Sequence, residues 1–170
     1  LVGGAPTVLK LLQSTQGRGV VLAETKKAGE AVISAFQGLD AHFIAQEFVK
    51  EAAGSDVRCF VVGKKVVGAM MRTADAEDFR SNLHAGGKAK RVALSKEEKA
   101  IAIRSANVLG LTVAGVDLIR TETGSKVLEV NSSPGLEGLE KTSRKNVAEK
   151  IIEYIENNVS STVRQSRKTR

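Results

Sequence analysis

Gly115-Val116-Asp117-Leu118-Ile119-Arg120, then Thr121 to Ser125, then Lys126-Val127-Leu128-Glu129-Val130-Asn131 read as two strands joined by a five-residue loop that contains Gly124. If Arg120 pairs with Lys126, Asp117 falls opposite Glu129 and Gly115 opposite Asn131. Side chains alternate across a sheet, so Asp117, Glu129 and Asn131 share one face. Val116, Leu118, Leu128 and Val130 take the other and point to a core. Opposed side chains lie roughly 5 Å apart at Cβ, and two carboxylates there repel unless a positive charge stands between them. Two carboxylates and an amide oxygen are hard donors that suit Mg²⁺ or Mn²⁺ better than zinc. Magnesium so bound completes its shell with water and phosphate oxygens, so the hairpin points to a nucleotide. Acidic residues on a solvated strand face are the plain alternative. Ile119 and Val127 on the same face speak against a simple polar surface. Ser132 to Gly138 follows as a turn-rich exit, the usual setting for a site at strand ends.

Upstream, Thr7-Val8-Leu9-Lys10-Leu11-Leu12 has strand character and sets Lys10 in an apolar run, where a lysine requires an anion. Gln13 to Leu22 then carries Gly17 and Gly19, which let the backbone approach phosphate oxygens closely. The lysine precedes the glycines, so this is no P-loop, and a plain hairpin turn fits equally well. Lys27 to Gly38 has helical spacing, and His42 to Val49 reads as a strand whose Glu47, Phe48 and Val49 are placed to line an adenine. Asp56 to Val62, a Gly63-Lys64-Lys65 turn and Val66 to Arg72 make a second hairpin with Asp56 and Arg58 on one face. Phe79 to Lys88 has the composition of a mobile catalytic loop, and equally of an exposed surface loop. His84 is a candidate general base by residue type alone. Ser95-Lys96-Glu97-Glu98 is a helix cap leading into Ala100 to Leu109, with Ile101, Ile103 and Val108 for its buried side and Gly110 as its stop. A last helix spans Thr142 to Asn157, with Val147, Ile151, Tyr154 and Ile155 on one stripe.

The 170 residues suffice for one good core or most of a larger domain, and the start at Leu1 without methionine reads as a piece of a longer chain. No apolar run approaches the ~20 residues of a membrane span. The single cysteine, Cys59, excludes an internal disulfide framework, reads as a small core residue and fits a cytoplasmic protein. Net charge is +7, and the last seven residues hold four basic side chains and no acid, a tail expected to be disordered. One tyrosine and no tryptophan leave no stacking platform for single-stranded nucleic acid.

Val8-Leu9-Lys10, Thr15 to Val20, Gln46-Glu47-Phe48, Asp56-Val57-Arg58, Phe79 to His84, Ala114 to Asp117 and Leu128 to Gly138 stand in an order that resembles the ATP-grasp carboxylate–amine ligases. Arg80-Ser81-Asn82-Leu83-His84 and Asn131-Ser132-Ser133-Pro134-Gly135-Leu136-Glu137-Gly138 resemble the RimK-type α-L-glutamate ligases in particular. The resemblance implies an α+β fold in which two lobes with antiparallel sheets grip ATP. Residues 1–52 would form part of the smaller lobe, 53–158 the larger lobe with the metal site, and 159–170 the basic tail; the family's N-terminal domain would lie upstream. It implies that Lys10 reaches phosphate, that Gln16, Gly17 and Gly19 cover the phosphates, and that Glu47, Phe48 and Val49 line the adenine. Asp56 would lie at the ribose end, with Arg58 also in the nucleotide site. Arg80 and Asn82 would be catalytic, Arg80 beside the transferred phosphoryl group. Asp117, Glu129 and Asn131 would carry two Mg²⁺ or Mn²⁺ ions, Glu129 bridging. Position 85 is Ala85 where the family motif has arginine. The implied reaction joins L-glutamate, through an acyl phosphate, to the C-terminal carboxylate of a small-subunit ribosomal protein, S-six, or builds poly-α-glutamate. Another ATP-grasp ligation, an ATP-binding module without turnover, a basic ribosome- or RNA-associated protein and a homo-oligomer stay open.

Overall fold

Among the described residues, the β-branched runs separated by glycine turns become eight strands, which pair into two antiparallel sheets flanked by four helices. The computed structural model describes residues 2–14, 17–75, 79–81 and 86–168, with the side chains of 159–168 left aside. Gln16, Asn82 and His84 lie outside the described residues.

The first sheet has the order β2–β1–β3, from β1 (Thr7–Leu11), β2 (Val20–Ala23) and β3 (Phe43–Glu47). Its hairpin turns at Gly17 and Gly19, both with positive φ, and the Leu11 amide donates to the Gly19 carbonyl at 3.0 Å. Helix α1 (Lys26–Gly38) connects β2 to β3, capped by the Thr25 hydroxyl accepting from the Ala28 amide. After β3 the chain leaves through Phe48, Val49 and a 3₁₀ turn at Lys50–Ala52 to the second sheet.

That sheet has the order β6–β5–β4–β7–β8, from β4 (Ser55–Val62), β5 (Lys65–Thr73), β6 (Lys88–Arg91), β7 (Val113–Thr121) and β8 (Gly124–Asn131). Asp117 is paired with Glu129 and Gly115 with Asn131, as the alternation predicts. The loop is tighter than expected, however: Thr121 pairs with Gly124, and Gly124 takes φ 112°. The spare residue is absorbed by a bulge beside Asp117 and Leu118, so Arg120 faces Ser125 instead of Lys126. Strand β6 has no apolar alternation to announce it, because Lys88, Lys90 and Arg91 occupy three of its four positions.

Helix α2 (Lys96–Val108) covers one face of this sheet. Its buried stripe is Glu98, Ala102 and Ala106, with Ile101 and Ile103 beside it, while Val108 is 85% exposed and corrects the expected buried set. Small alanines at i, i+4 spacing let the helix sit close on Val57, Cys59, Val61, Val116 and Leu118. Cys59 is a fully buried core residue, and burial pushes its thiol up to about 12. The expected single last helix is two: α3 (Glu137–Ser143) stops at Arg144 with φ 55°, and α4 (Val147–Lys168) starts afresh. The Glu140 carboxylate accepts from the Val147 and Ala148 amides, and this cap makes the break. With no glycine or proline after Val147, α4 runs to Lys168, into the stretch expected to be a disordered tail. Of its predicted stripe, Val147, Ile151 and Tyr154 join Phe60, Val62 and Met70 on the sheet, whereas Ile155 is exposed.

Glu98 ties α2 to the hairpin. It closes the capping box with Ser95, and accepts from Arg120 Nε at 2.7 Å and from the Ser125 hydroxyl at 3.0 Å. The Arg120 guanidinium, outweighing the burial that opposes it and aided by Ser95 and Ser125, holds the Glu98 carboxyl at about 2. A depressed folded-state value adds stability above the ordinary 4.5 that is lost as pH falls toward 2. Glu98→Gln is expected to cost about 2 kcal/mol near neutrality. Urea denaturation of both proteins at about pH 7 and about pH 3 checks this: the gap narrows at the lower pH.

Candidate functional site

Strand β4 sets the site. Its odd members Val57, Cys59 and Val61 face α2; its even members face the other way. On that second face Phe60 and Val62 lie under α3 and α4, whereas Asp56 and Arg58, at the opposite end, are left to polar company. Gly115 on β7 lies between the two regions: a Cβ there would stand 2.8 Å from Pro134 Cβ, so glycine lets the strand exit fold across the sheet.

A continuous polar chain runs across the strands. Asp117, 0% exposed, accepts from Arg58 Nε at 2.7 Å and Arg58 Nη2 at 2.6 Å, a two-pronged pair, and from Arg72 Nη2 at 2.7 Å. Arg72 in turn donates through Nε and Nη2 to the two oxygens of Asp56 at 2.7 Å each, and the Ser81 hydroxyl also bonds to Asp56. Arg58 Nη2 stands 3.7 Å from Glu129, and the Asn131 amide donates to Glu129 at 3.0 Å. Burial pushes the Asp117 carboxyl up, but Arg58 and Arg72 more than reverse this and hold it below its ordinary range. Burial works against the Arg72 charge, and its bonds to Asp56 with the Asp117 charge raise it regardless.

The three predicted metal ligands therefore converge, and the positive charge that the opposed carboxylates require is, in this structure, Arg58. Among the described residues no three Asp, Glu, His or Cys side chains form a metal-holding group. The set to test is two carboxylates and an amide oxygen. Glu129 is half exposed, with Asn131 against it. These oxygen donors are of the kind a hard divalent cation takes, while both oxygens of Asp117 are bonded to Arg58 and Arg72.

Lys10, half-buried on β1, belongs to the same constellation: burial lowers its ammonium, and Glu129, Asp117 and Asp56 pull it back up. Arg80 Nη1 donates to the Gly17 carbonyl at 3.0 Å, joining the segment after β5 to the glycine turn of the first sheet. Phe48 meets Phe79 edge-on at 6.2 Å, with Glu47 and Val49 beside it at the exit of β3. Asp56, expected at the ribose end, is buried, and its carboxylate accepts from Arg72 and Ser81. Sequence reasoning missed Arg72. The signal was partly there: the three-residue turn Gly63-Lys64-Lys65 read from the sequence sets Arg72 opposite Asp56, a register the structure reaches with a two-residue turn and a bulge between Phe60 and Val61.

Residues 2–155 match the family of RimK-like ATP-grasp domains. The chain is 59% identical over 158 residues to a probable alpha-L-glutamate ligase of Alkalilimnicola ehrlichii, covering 93% of this chain and 52% of that relative. It thus spans about half the length of the curated relatives it matches. Its fold is similar to a D-alanine–D-alanine ligase from Bacillus anthracis complexed with ATP (TM-score 0.69, 20% identity, 96% of this chain and 55% of the other). The ATP-grasp ligase PsnB, complexed with Mg, ADP and a variant of its minimal precursor, is likewise similar (TM-score 0.68, 21% identity, 90% of this chain and 46% of the other). The two-sheet α+β arrangement is the ATP-grasp fold.

Proposed function

The chain belongs to the RimK-like ATP-grasp family, and from that premise we propose that it is the ATP-handling portion of a carboxylate–amine ligase that adds L-glutamate to an acceptor carboxylate. The observation that carries this reading is the convergence of Asp117, Glu129 and Asn131 on one sheet face, within the electrostatic reach of Lys10. Residues 1–52 and 53–158 act as the two lobes, with ATP between their sheets. Asp117, Glu129 and Asn131 would hold two Mg²⁺ or Mn²⁺ ions, which supply charge neutralisation on the phosphate oxygens when bound.

The chain's own groups do the rest by position and charge. Glu47, Phe48 and Val49 receive the adenine, and the turn at Gly17 and Gly19 lies over the phosphates. Lys10 and Arg80 draw negative charge from the γ-phosphoryl group as an acceptor carboxylate oxygen attacks its phosphorus and ADP leaves. The glutamate amine then attacks the acyl carbon, phosphate departs with the bonding pair, and the amine gives up a proton to form the amide. Asp56 and Arg72 keep Asp117 in place throughout. The acceptor is the C-terminal carboxylate of the small-subunit ribosomal protein S-six, which sets the reaction in the cytoplasm.

Intact mass analysis of that acceptor, after incubation with the full-length protein, ATP and isotope-labelled glutamate, tests the reading. Growth in glutamate-sized steps with matching ADP release is expected; an unchanged acceptor mass sinks the ligase assignment. Because the chain spans about half of its relatives, a second reading is an ATP-binding module that needs the remainder for turnover. Magnesium-dependent ATP binding by the chain without ADP release separates that case.

A further inference from the structure

Asp117 is shared by two guanidinium groups of unequal standing. Arg72 is clamped from both sides, by the two oxygens of Asp56 and by Asp117, with the Ser81 hydroxyl closing on the same Asp56. Arg58 instead spans the gap between the two opposed carboxylates, 2.6 Å from Asp117 and 3.7 Å from Glu129. We propose that Arg58 is an exchangeable counter-ion: it stands between Asp117 and Glu129 in the absence of a divalent cation and releases them as the cation binds, while Arg72 stays on Asp117. The inference rests on the reading of Asp117, Glu129 and Asn131 as cation ligands.

Charge and geometry require the exchange. Asp56, Asp117 and Glu129 against Arg58, Arg72 and the facing Lys10 leave no net charge. A divalent cation added beside an unmoved Arg58 would make the cluster positive and press two positive groups together in a poorly solvated site. Asp117 lacks the freedom to turn elsewhere, being fully buried and bonded to Arg72. Arg58 has it: a long stem can carry its head toward water while the aliphatic part stays packed.

Two measurements on the nucleotide-free chain decide the matter. In ¹⁵N-arginine side-chain spectra of the parent protein, Mg²⁺ should shift the Arg58 Nε–H signal and remove its protection from exchange, leaving the Arg72 signal in place. By Mn²⁺ paramagnetic resonance, Arg58→Gln should bind the ion about tenfold more tightly than the parent, and Arg58→Lys, which keeps the charge, should not. An Arg58 signal unmoved at saturating cation overturns the exchange and leaves the cation ligands standing. Equal or weaker Mn²⁺ binding by a folded Arg58→Gln does the same. If Mn²⁺ binds only once ATP is added, the exchange is overturned and the cation ligands stand; if it binds under neither condition, the cation-ligand reading itself falls and the exchange with it. Should Arg58→Gln fail to fold, the parent spectra decide alone.

Discussion

Asp117→Ala is expected to lower the unfolding free energy by roughly 3–5 kcal/mol and to abolish magnesium-dependent ATP binding in the same protein. The stability loss follows from what stays behind. Arg58 and Arg72 have side chains only 15% and 11% exposed, and Asp117 answers both. With the carboxylate gone, Arg72 keeps Asp56 alone and Arg58 only its 3.7 Å approach to Glu129, so two buried charges are left short of compensation. Asp117→Asn keeps the shape and part of the hydrogen bonding, so its loss should be smaller. The pH dependence has a definite sign: a carboxyl held below its ordinary value stabilises above that value and loses its contribution as pH falls through the depressed one. Denaturant titration with calorimetric ATP binding checks both halves. An alanine variant as stable as the parent would show that the arginine–carboxylate chain is not structural.

Two kinds of information separate what the sequence made legible from what it hid. Alternation with a period of two is strict wherever one face of a strand is buried, so the pairing of Asp117 with Glu129 and of Gly115 with Asn131 could be read directly. The bulge could not, because it depends on whether the loop closes with two residues or five. Hydrophobic residue type points Val108 to the buried side of its helix, yet Ala102 and Ala106 fill it, since close approach of helix and sheet favours small side chains. In the site, residue types announced an anion-rich face beside a lysine. They did not announce that Asp56 answers Arg72, a relation made by a cross-strand pair sixteen residues apart. Arginine is easily taken for a ligand-binding group when it is first a counter-ion. Arg58 and Arg72 both answer buried carboxylates.

Glu129→Ala should give the opposite signature: a fold as stable as the parent within about 0.5 kcal/mol, and a loss of roughly 10²–10³ in turnover. Its side chain is 50% exposed, its ion pair with Arg58 is long at 3.7 Å, and its remaining bond goes to Asn131 on its own strand. Exposed pairs of this kind contribute little to stability. A solvated carboxylate placed 3.7 Å from a guanidinium and opposite a buried aspartate therefore contributes little to the fold, and the proposed ligand role predicts that its loss is felt in turnover alone. The plain alternative, an acidic residue on a wet strand face, predicts equal stability too, but also unchanged ATP binding and turnover. Thermal unfolding of the variant, beside ADP release and acceptor mass for the full-length protein, distinguishes them in one series. A Glu129→Ala protein that turns over ATP at the parental rate would remove Glu129 from the site. Asn131, whose amide points at that same carboxylate, would then lose its reason for being there, and the hairpin would be a structural element alone.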